Sequence, residues 1–190
     1  MIEPNKLQAL ETRIMKFQPK HFILLFAFIS LHWDGVAQQP EQVSFDFSTV
    51  KEYRETKANG QIINDYARVF TPAQRKELFD LLYDYDQQTT RQIVVVTVDS
   101  ISPYTNTQKM AADLGNYWGV GSAEKDNGLV ILLCKPCRQI ALGTGKGTQL
   151  VLTDEVCQEV IDKTIIPEFK KGDYFAGIRG GITELIEKWE

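Results

Sequence analysis

The sequence predicts a three-layer α/β/α sandwich on a mixed sheet, a Rossmann-like member of the α/β class, and three observations carry that expectation. Two runs, Gln92–Val98 (QIVVVTV) and Gly128–Cys134 (GLVILLC), are apolar almost throughout, as strands covered on both faces are. The stretch between them has helical spacing, so the two join as parallel neighbours through a crossover. Only Lys135-Pro136-Cys137 then separates Gly128–Cys134 from a second apolar segment, which predicts an antiparallel hairpin.

Taken in order, residues 38–58 mix polar, aromatic and charged types without a period and read as an extended leader to a domain over 59–190. Ile62 and Ile63 form a short strand that Asn64-Asp65 ends. Thr71 as N-cap, Pro72 at the first helical position and Gln74 closing a Thr-x-x-Gln capping box agree on a helix start. Leu78, Leu81, Leu82 and Tyr85 then lay one apolar stripe along it. After Gln92–Val98, the residues Met110, Leu114 and Tyr117 keep helical spacing until Gly119 and Gly121 can stop it. The hairpin follows. Thr153 caps a third helix with Asp154 and Glu155 in its first turn and Val156, Val160 and Ile161 on its buried stripe. Asp173 caps the last helix, whose stripe is Ile178, Ile182, Leu185 and Trp189.

The N-terminus stands apart from this domain. Lys16 and Lys20 precede the apolar run Phe22–Leu31, which is well short of the roughly 20 residues that cross a bilayer as a helix. Gly35 and Ala37 supply the small residues of a cleavage site, so residues 1–37 read as a secretory signal cut after Ala37, with 1–14 an upstream extension before Met15. The alternative is an uncleaved anchor with Trp33 at the interface. The expected location is periplasmic or extracellular, possible membrane association included. Removing 1–37 leaves about five net negative charges, a balance that excludes nucleic acid as a partner and suits a cation. Both histidines, His21 and His32, fall in the signal, which excludes histidine-based triads and a histidine-ligated zinc from the exported part.

The candidate site comes from topology. With Gln92–Val98 and Gly128–Cys134 parallel, Asp126 lies at the strands' N-terminal edge, and the hairpin returns the exit Gly143–Gly147 (GTGKG) to that edge. The helix at Thr153-Asp154 starts a few residues on. A short first strand would place Asp65 there as well. Carboxylates crowded on one rim repel each other, and oxygen ligands are what calcium or magnesium prefer, so Asp65, Asp126 and Asp154 are the expected metal ligands. Each has a structural reading beside this one: Asp126-Asn127-Gly128 as an ordinary turn, Asp154 as a helix-dipole partner, Asp173 as a cap and Asp65 as an Asx turn. The glycine loop is not a phosphate loop of the Walker type, since Ile140 and Gly147 stand where a glycine and a Ser or Thr are required. Gly145 and Lys146 are nevertheless the candidates for steadying a small anion or substrate phosphate. Cys134 and Cys137 straddle the hairpin turn at a spacing that a disulfide can bridge, and Cys157 sits on an apolar stripe as core.

The segments INDYARVFTPAQRKEL, QIVVVTV, YWGVGSAEKDNGLVILL, IALGTGKG, LTD and IIPEFKKGDYFAGIRGGI, in that order, resemble the TPM domain family over about Gly60 to Trp189. Asn64-Asp65, Trp118-Gly119 leading to Asp126-Asn127-Gly128, and Pro167-x-Phe-x-x-Gly-Asp-Tyr are the specific elements. The resemblance implies an α/β/α domain, often exported or membrane-tethered, with similar proteins including a thylakoid-lumen protein of photosystem repair and an auxiliary protein of acetylcholine receptors. It also implies the calcium binding and acid phosphatase activity attributed to some members, with Asp65 and Asp126 on the family's acidic positions. Two functions follow as expectations. One is a calcium-binding accessory module for an envelope or membrane protein. The other is a metal-assisted phosphatase acting on a phosphate ester, with Asp126 and Asp65 as its catalytic acids.

Overall fold

Strand β1 (Ile63–Asp65), strand β2 (Gln92–Val98), strand β3 (Gly128–Cys134) and strand β4 (Gln139–Thr144) form one sheet in the order β1-β2-β3-β4 in a computed structural model that describes residues 45–190. The first three strands are parallel and β4 returns antiparallel, the mixed sheet that the two apolar runs and the hairpin predict. The secretory signal expected over 1–37 lies outside the described residues.

The helix signals act where they stand. Thr71 caps α2 (Pro72–Thr89) through a complete capping box with Gln74. Asn106 caps α3 (Thr107–Trp118), and Gly119 ends it in the left-handed region at φ +70°. Thr153 caps α5 (Asp154–Val160), and Asp173 caps α7 (Tyr174–Trp189) by accepting a hydrogen bond from the Ala176 amide at 2.9 Å. Between α5 and α6 (Ile166–Lys170), Ile161–Ile165 winds as a π-helix. Pro167 explains this widening, because its ring lacks an N–H and would strike the carbonyl of Lys163 in an α-helix.

Strand alternation divides the apolar residues between two cores. Ile93, Val95, Leu129, Ile131 and Leu142 pack under α2, α5 and α7 with Leu78, Leu82, Val160, Ile178 and Leu185. Val94, Val96, Val130, Leu132 and Ala141 face the other way, onto Met110, Ala111 and Leu114 of α3. The connections through α2 and α3 thus cover opposite faces although both step the same way across the sheet. They therefore have opposite hands, and one of the two departs from the usual right-handed rule.

The described part of the leader is not extended. Phe47–Thr49 forms a 3-10 turn and α1 (Lys51–Asn59) a helix, packed on the α3 face. The cause is aromatic: Phe47 lies among Phe45, Tyr53, Tyr104 and Tyr117, and the Trp118 indole Nε1 donates to the Tyr53 carbonyl at 2.8 Å. Burial there pushes the Tyr53 hydroxyl up to about 12. No apolar period marks this segment in sequence because its contacts are a few large rings rather than a stripe.

A disulfide joins Cys134 to Cys137 at the hairpin tip, and Cys157 is buried. Burial, followed by the nearby Asp154 charge, pushes the Cys157 thiol up to about 11. The native protein is therefore expected to show no reactive thiol at pH 8 in a colorimetric disulfide-exchange assay, and one per chain in guanidinium. A thiol reacting rapidly in the native state contradicts the Cys157 environment, and three in guanidinium contradict the disulfide.

Candidate functional site

At the N-terminal edge of the parallel strands the chain folds back on itself at close range. Asp126 takes φ +46°, a left-handed conformation that Asp tolerates better than most residues. The buried Asn127 pins this bend: its Oδ1 accepts from the Ser122 amide at 2.9 Å and its Nδ2 donates to the Thr90 carbonyl at 2.8 Å. The Gly145 amide donates to the Gly128 carbonyl at 2.9 Å, and the Gly147 amide to the Asp126 carbonyl at 3.0 Å. Backbone lies against backbone here. A Cβ on Gly145 would come within 2.3 Å of the Asp126 carbonyl oxygen, and one on Gly147 within 1.9 Å of that of Lys125.

The bend and the glycine exit therefore meet, as the hairpin topology predicts. The glycines lead directly into a one-turn helix, α4 (Lys146–Gln149), which the sequence pattern does not announce. Asp126 occupies the start of this turn: the Lys146 amide donates to its Oδ2 at 3.0 Å. A carboxylate from the chain itself thus fills the place offered to a small anion at Gly145 and Lys146. The Lys146 side chain is exposed.

Asp154 lies on the same side, exposed at the start of α5, where the Gln149 side-chain amide donates to it at 3.4 Å. Asp126 also borders a hollow of about 50 Å³ between α3 and the β3–β4 strands, with Asn116, Thr144 and Gly145 among its walls. The space suits a few waters or one small ion. Asn116 is the residue that sequence reasoning misses; it lies on the exposed side of α3, and no motif marks it.

Asp65 is not part of this lip. Register places Ile63 beside Val95 and Asp65 beside Thr97, whereas Gly128 stands beside Gln92. Asp65 is therefore about 16 Å farther along the strands, at their C-terminal ends, by a rise of ~3.3 Å per residue. The expected joint site of Asp65 with Asp126 and Asp154 is corrected on this point: β1 is short, but it sits against the far half of β2. Asp65 is also fully engaged. Its Oδ1 accepts from the Val69 amide at 2.8 Å and the Thr97 hydroxyl at 2.6 Å, and its Oδ2 from the Phe70 amide at 3.0 Å and Arg75 Nη1 at 3.2 Å. The carboxylate is 2% exposed. Nothing in such an arrangement leaves a lone pair directed at solvent or a ligand. Asn64 is equally structural: buried, it accepts from the Thr56 hydroxyl at 3.0 Å and ties α1 to the sheet.

Among the described residues, no three His, Cys, Asp or Glu side chains gather as a metal cage. Asp126 fits the role of a cation ligand, as an accessible carboxylate beside carbonyl and amide oxygens; Asp65 does not. Asp65 and Asp126, the two acids expected to work jointly in acid-base or nucleophilic chemistry, stand at opposite edges of the sheet.

Comparison with known proteins bears on the whole domain. The family model of the TPM domain matches residues 63–188. The N-terminal domain of a P. gingivalis protein, solved by solution NMR, is similar at a TM-score of 0.66 and 23% identity, covering 77% of this chain and 92% of that one. The BA42 protein from the psychrophilic bacterium Bizionia argentinensis follows at 0.55 and 19%, covering 63% and 81%. The N-terminal domain of the cg2496 protein from Corynebacterium glutamicum gives 0.51 and 16%, covering 68% and 77%. At these identities the likeness to solved structures concerns the fold. No curated protein matches the chain. The α/β/α layers, the backbone clamp from Asp126 to Gly147 and a family match that takes in both lead to one conclusion: the chain belongs to the TPM domain family.

Proposed function

We propose that this TPM domain is an exported accessory module that docks on an envelope or membrane protein, and that its Asp126 lip takes up a divalent cation, calcium by the hardness of its oxygen donors. The observation that carries this reading is the separation of the two acids. Asp126 is half-buried on the lip with an adjoining hollow, while Asp65 is buried under four hydrogen bonds at the opposite edge. One carboxylate can bind and order; without a partnered acid or base it makes a poor hydrolytic centre. Asp126, with Asn116 and the carbonyls near Thr144, would hold the ion, which would neutralise the lip and tighten the bend. Export is supported by the N-terminal apolar run and by the Cys134–Cys137 disulfide, a bond that persists in oxidising compartments.

Calcium titration of ¹⁵N-labelled protein tests it. Amide shifts are expected at Asp126, Asn116 and Thr144, with a Kd on the order of 10⁻⁴–10⁻³ M, typical of weak extracellular sites. Asp126→Asn should abolish them, and neither protein should hydrolyse p-nitrophenyl phosphate with calcium, magnesium or manganese. Ester turnover that disappears in Asp126→Asn makes the domain a phosphatase instead. Calcium shifts centred on Asp65 and Thr97 would overturn the assignment of the lip.

A further inference from the structure

Strand β4 ends the sheet, and its outward backbone is not paired with another strand among the described residues. The Gly145 amide bonds the Gly128 carbonyl, so in this antiparallel ladder the pairs Val130–Gly143, Leu132–Ala141 and Cys134–Gln139 exchange the bonds. Ile140, Leu142 and Thr144 consequently turn their N–H and C=O groups away from β3. The side-chain amide of Gln108 confirms the direction, donating Nε2–H to the Leu142 carbonyl at 2.6 Å from the outside. This edge forms the floor of a groove of about 730 Å³, walled by Thr107, Gln108 and Ala112 on one face and by Asp154, Gln158 and Ile161 on the other.

Resting on the reading of this domain as a docking module, we propose that the groove receives an extended segment of a partner protein carrying Lys or Arg at alternate positions, added to the sheet as a fifth strand beside β4. Three features select that occupant. The outward N–H and C=O groups of Ile140, Leu142 and Thr144 repeat with the period of a strand and pair only with another extended backbone. The walls rise from helices on both faces of the sheet; a second copy of this chain would bring its own walls into the same space, whereas a single strand does not. The α5 wall places Asp154 on the groove, and Glu155 and, in the π-helical turn that follows, Asp162 lie on the adjoining surface; all three are exposed and have no ion-pair partner among the described residues. Alternate side chains of an added strand point to that wall, which supplies the preference for basic residues. Gln108 is the gate. It is exposed, its amide stands in for the missing strand at Leu142, and an incoming carbonyl-to-amide ladder must displace it.

The test uses a blocked hexapeptide alternating Lys and Val, titrated into ¹⁵N-labelled protein, with hydrogen exchange read residue by residue. The amides of Ile140, Leu142 and Thr144 are expected to shift and to exchange roughly tenfold more slowly with peptide bound. A peptide of the same sequence N-methylated at alternate residues should not bind, and one alternating Glu and Val should bind more weakly. Gln108→Ala, on the exposed side of α3, should tighten binding roughly threefold by freeing the Leu142 carbonyl. Equal binding of the N-methylated peptide, equal binding of the Glu peptide, or no tightening in Gln108→Ala overturns the assignment. So do shifts confined to the stacked pair Phe79 and Tyr83, although these leave the domain a docking module. Phosphate-ester turnover that depends on Asp126 overturns the module reading and leaves the result at β4 standing.

Discussion

Replacing Asp65 with alanine is expected to destabilise the domain by about 3–5 kcal/mol, the range for removing one partner from a buried charged network. The figure follows from what loses its acceptor. The Val69 and Phe70 amides and the Thr97 hydroxyl all donate to this carboxylate. Each buried donor left unpaired costs about 1–3 kcal/mol. Arg75 contributes less, because its side chain is 39% exposed and water can replace the lost partner. Arg75→Lys is accordingly expected to cost about 1 kcal/mol or less. Urea denaturation read by circular dichroism gives both values. Had Asp65 been a metal ligand, removing it would relieve repulsion in the metal-free protein and leave stability unchanged or raised; a loss below about 1 kcal/mol for Asp65→Ala would therefore contradict the network described here.

Gly147→Ala is expected to lower stability by about 3 kcal/mol, at the upper end of overpacking costs. Elsewhere this substitution inside a helical turn favours folding, since Ala exceeds Gly in helix propensity by about 1 kcal/mol. Here the added Cβ would meet the Lys125 carbonyl oxygen at 1.9 Å, and that atom is backbone, tied to the Asp126 bend. The clash decides the sign. Gly119 makes the contrast: it sits at φ +70° with open space for 4 Å around the position a Cβ would take, so Gly119→Ala meets only the left-handed backbone cost of about 1–2 kcal/mol. For a domain of this size each kcal/mol lowers Tm by roughly 2–4 °C, so Gly147→Ala should melt on the order of 6–12 °C below the unaltered protein. Gly119→Ala should lie between the two. The reverse order of melting temperatures would show that the two ends of the hairpin are not held backbone to backbone. Gly147→Ala should also weaken the calcium shifts at Asp126, because the Lys146 amide that orients its carboxylate moves with the turn.

These two substitutions show how the residues that carry the resemblance in sequence divide. Asp126-Asn127-Gly128 and the glycines of GTGKG stand together on one lip, as the hairpin requires, and most of their signature is the geometry of close backbone approach. Asn64-Asp65 is a second, separate structural knot at the other edge. An acid that stands in a motif can thus be held for the donors it accepts from rather than for a ligand.

What the sequence determined by itself was whatever depends on near neighbours along the chain. The apolar runs at Gln92–Val98 and Gly128–Cys134, the caps at Thr71, Thr153 and Asp173, and the stripe of α7 are local signals, and each produced its element. The hairpin then brought Gly145 to Asp126, because a reversal of four residues leaves its ends no other place to go. Tertiary structure alone decided the rest. Placement of β1 against the far half of β2 is a choice of register, set by how Ile63 and Asp65 meet Val95 and Thr97, and it moved one acid to the opposite edge. The assignment of α2 and α3 to opposite faces, and the aromatic docking of Phe47 and Tyr53, arise between residues far apart in the chain. The outer edge of β4 is likewise defined by the strands that do not lie beside it. Near-neighbour chemistry is written in order along the chain, whereas register, facing and edges are properties of pairs that only folding brings together.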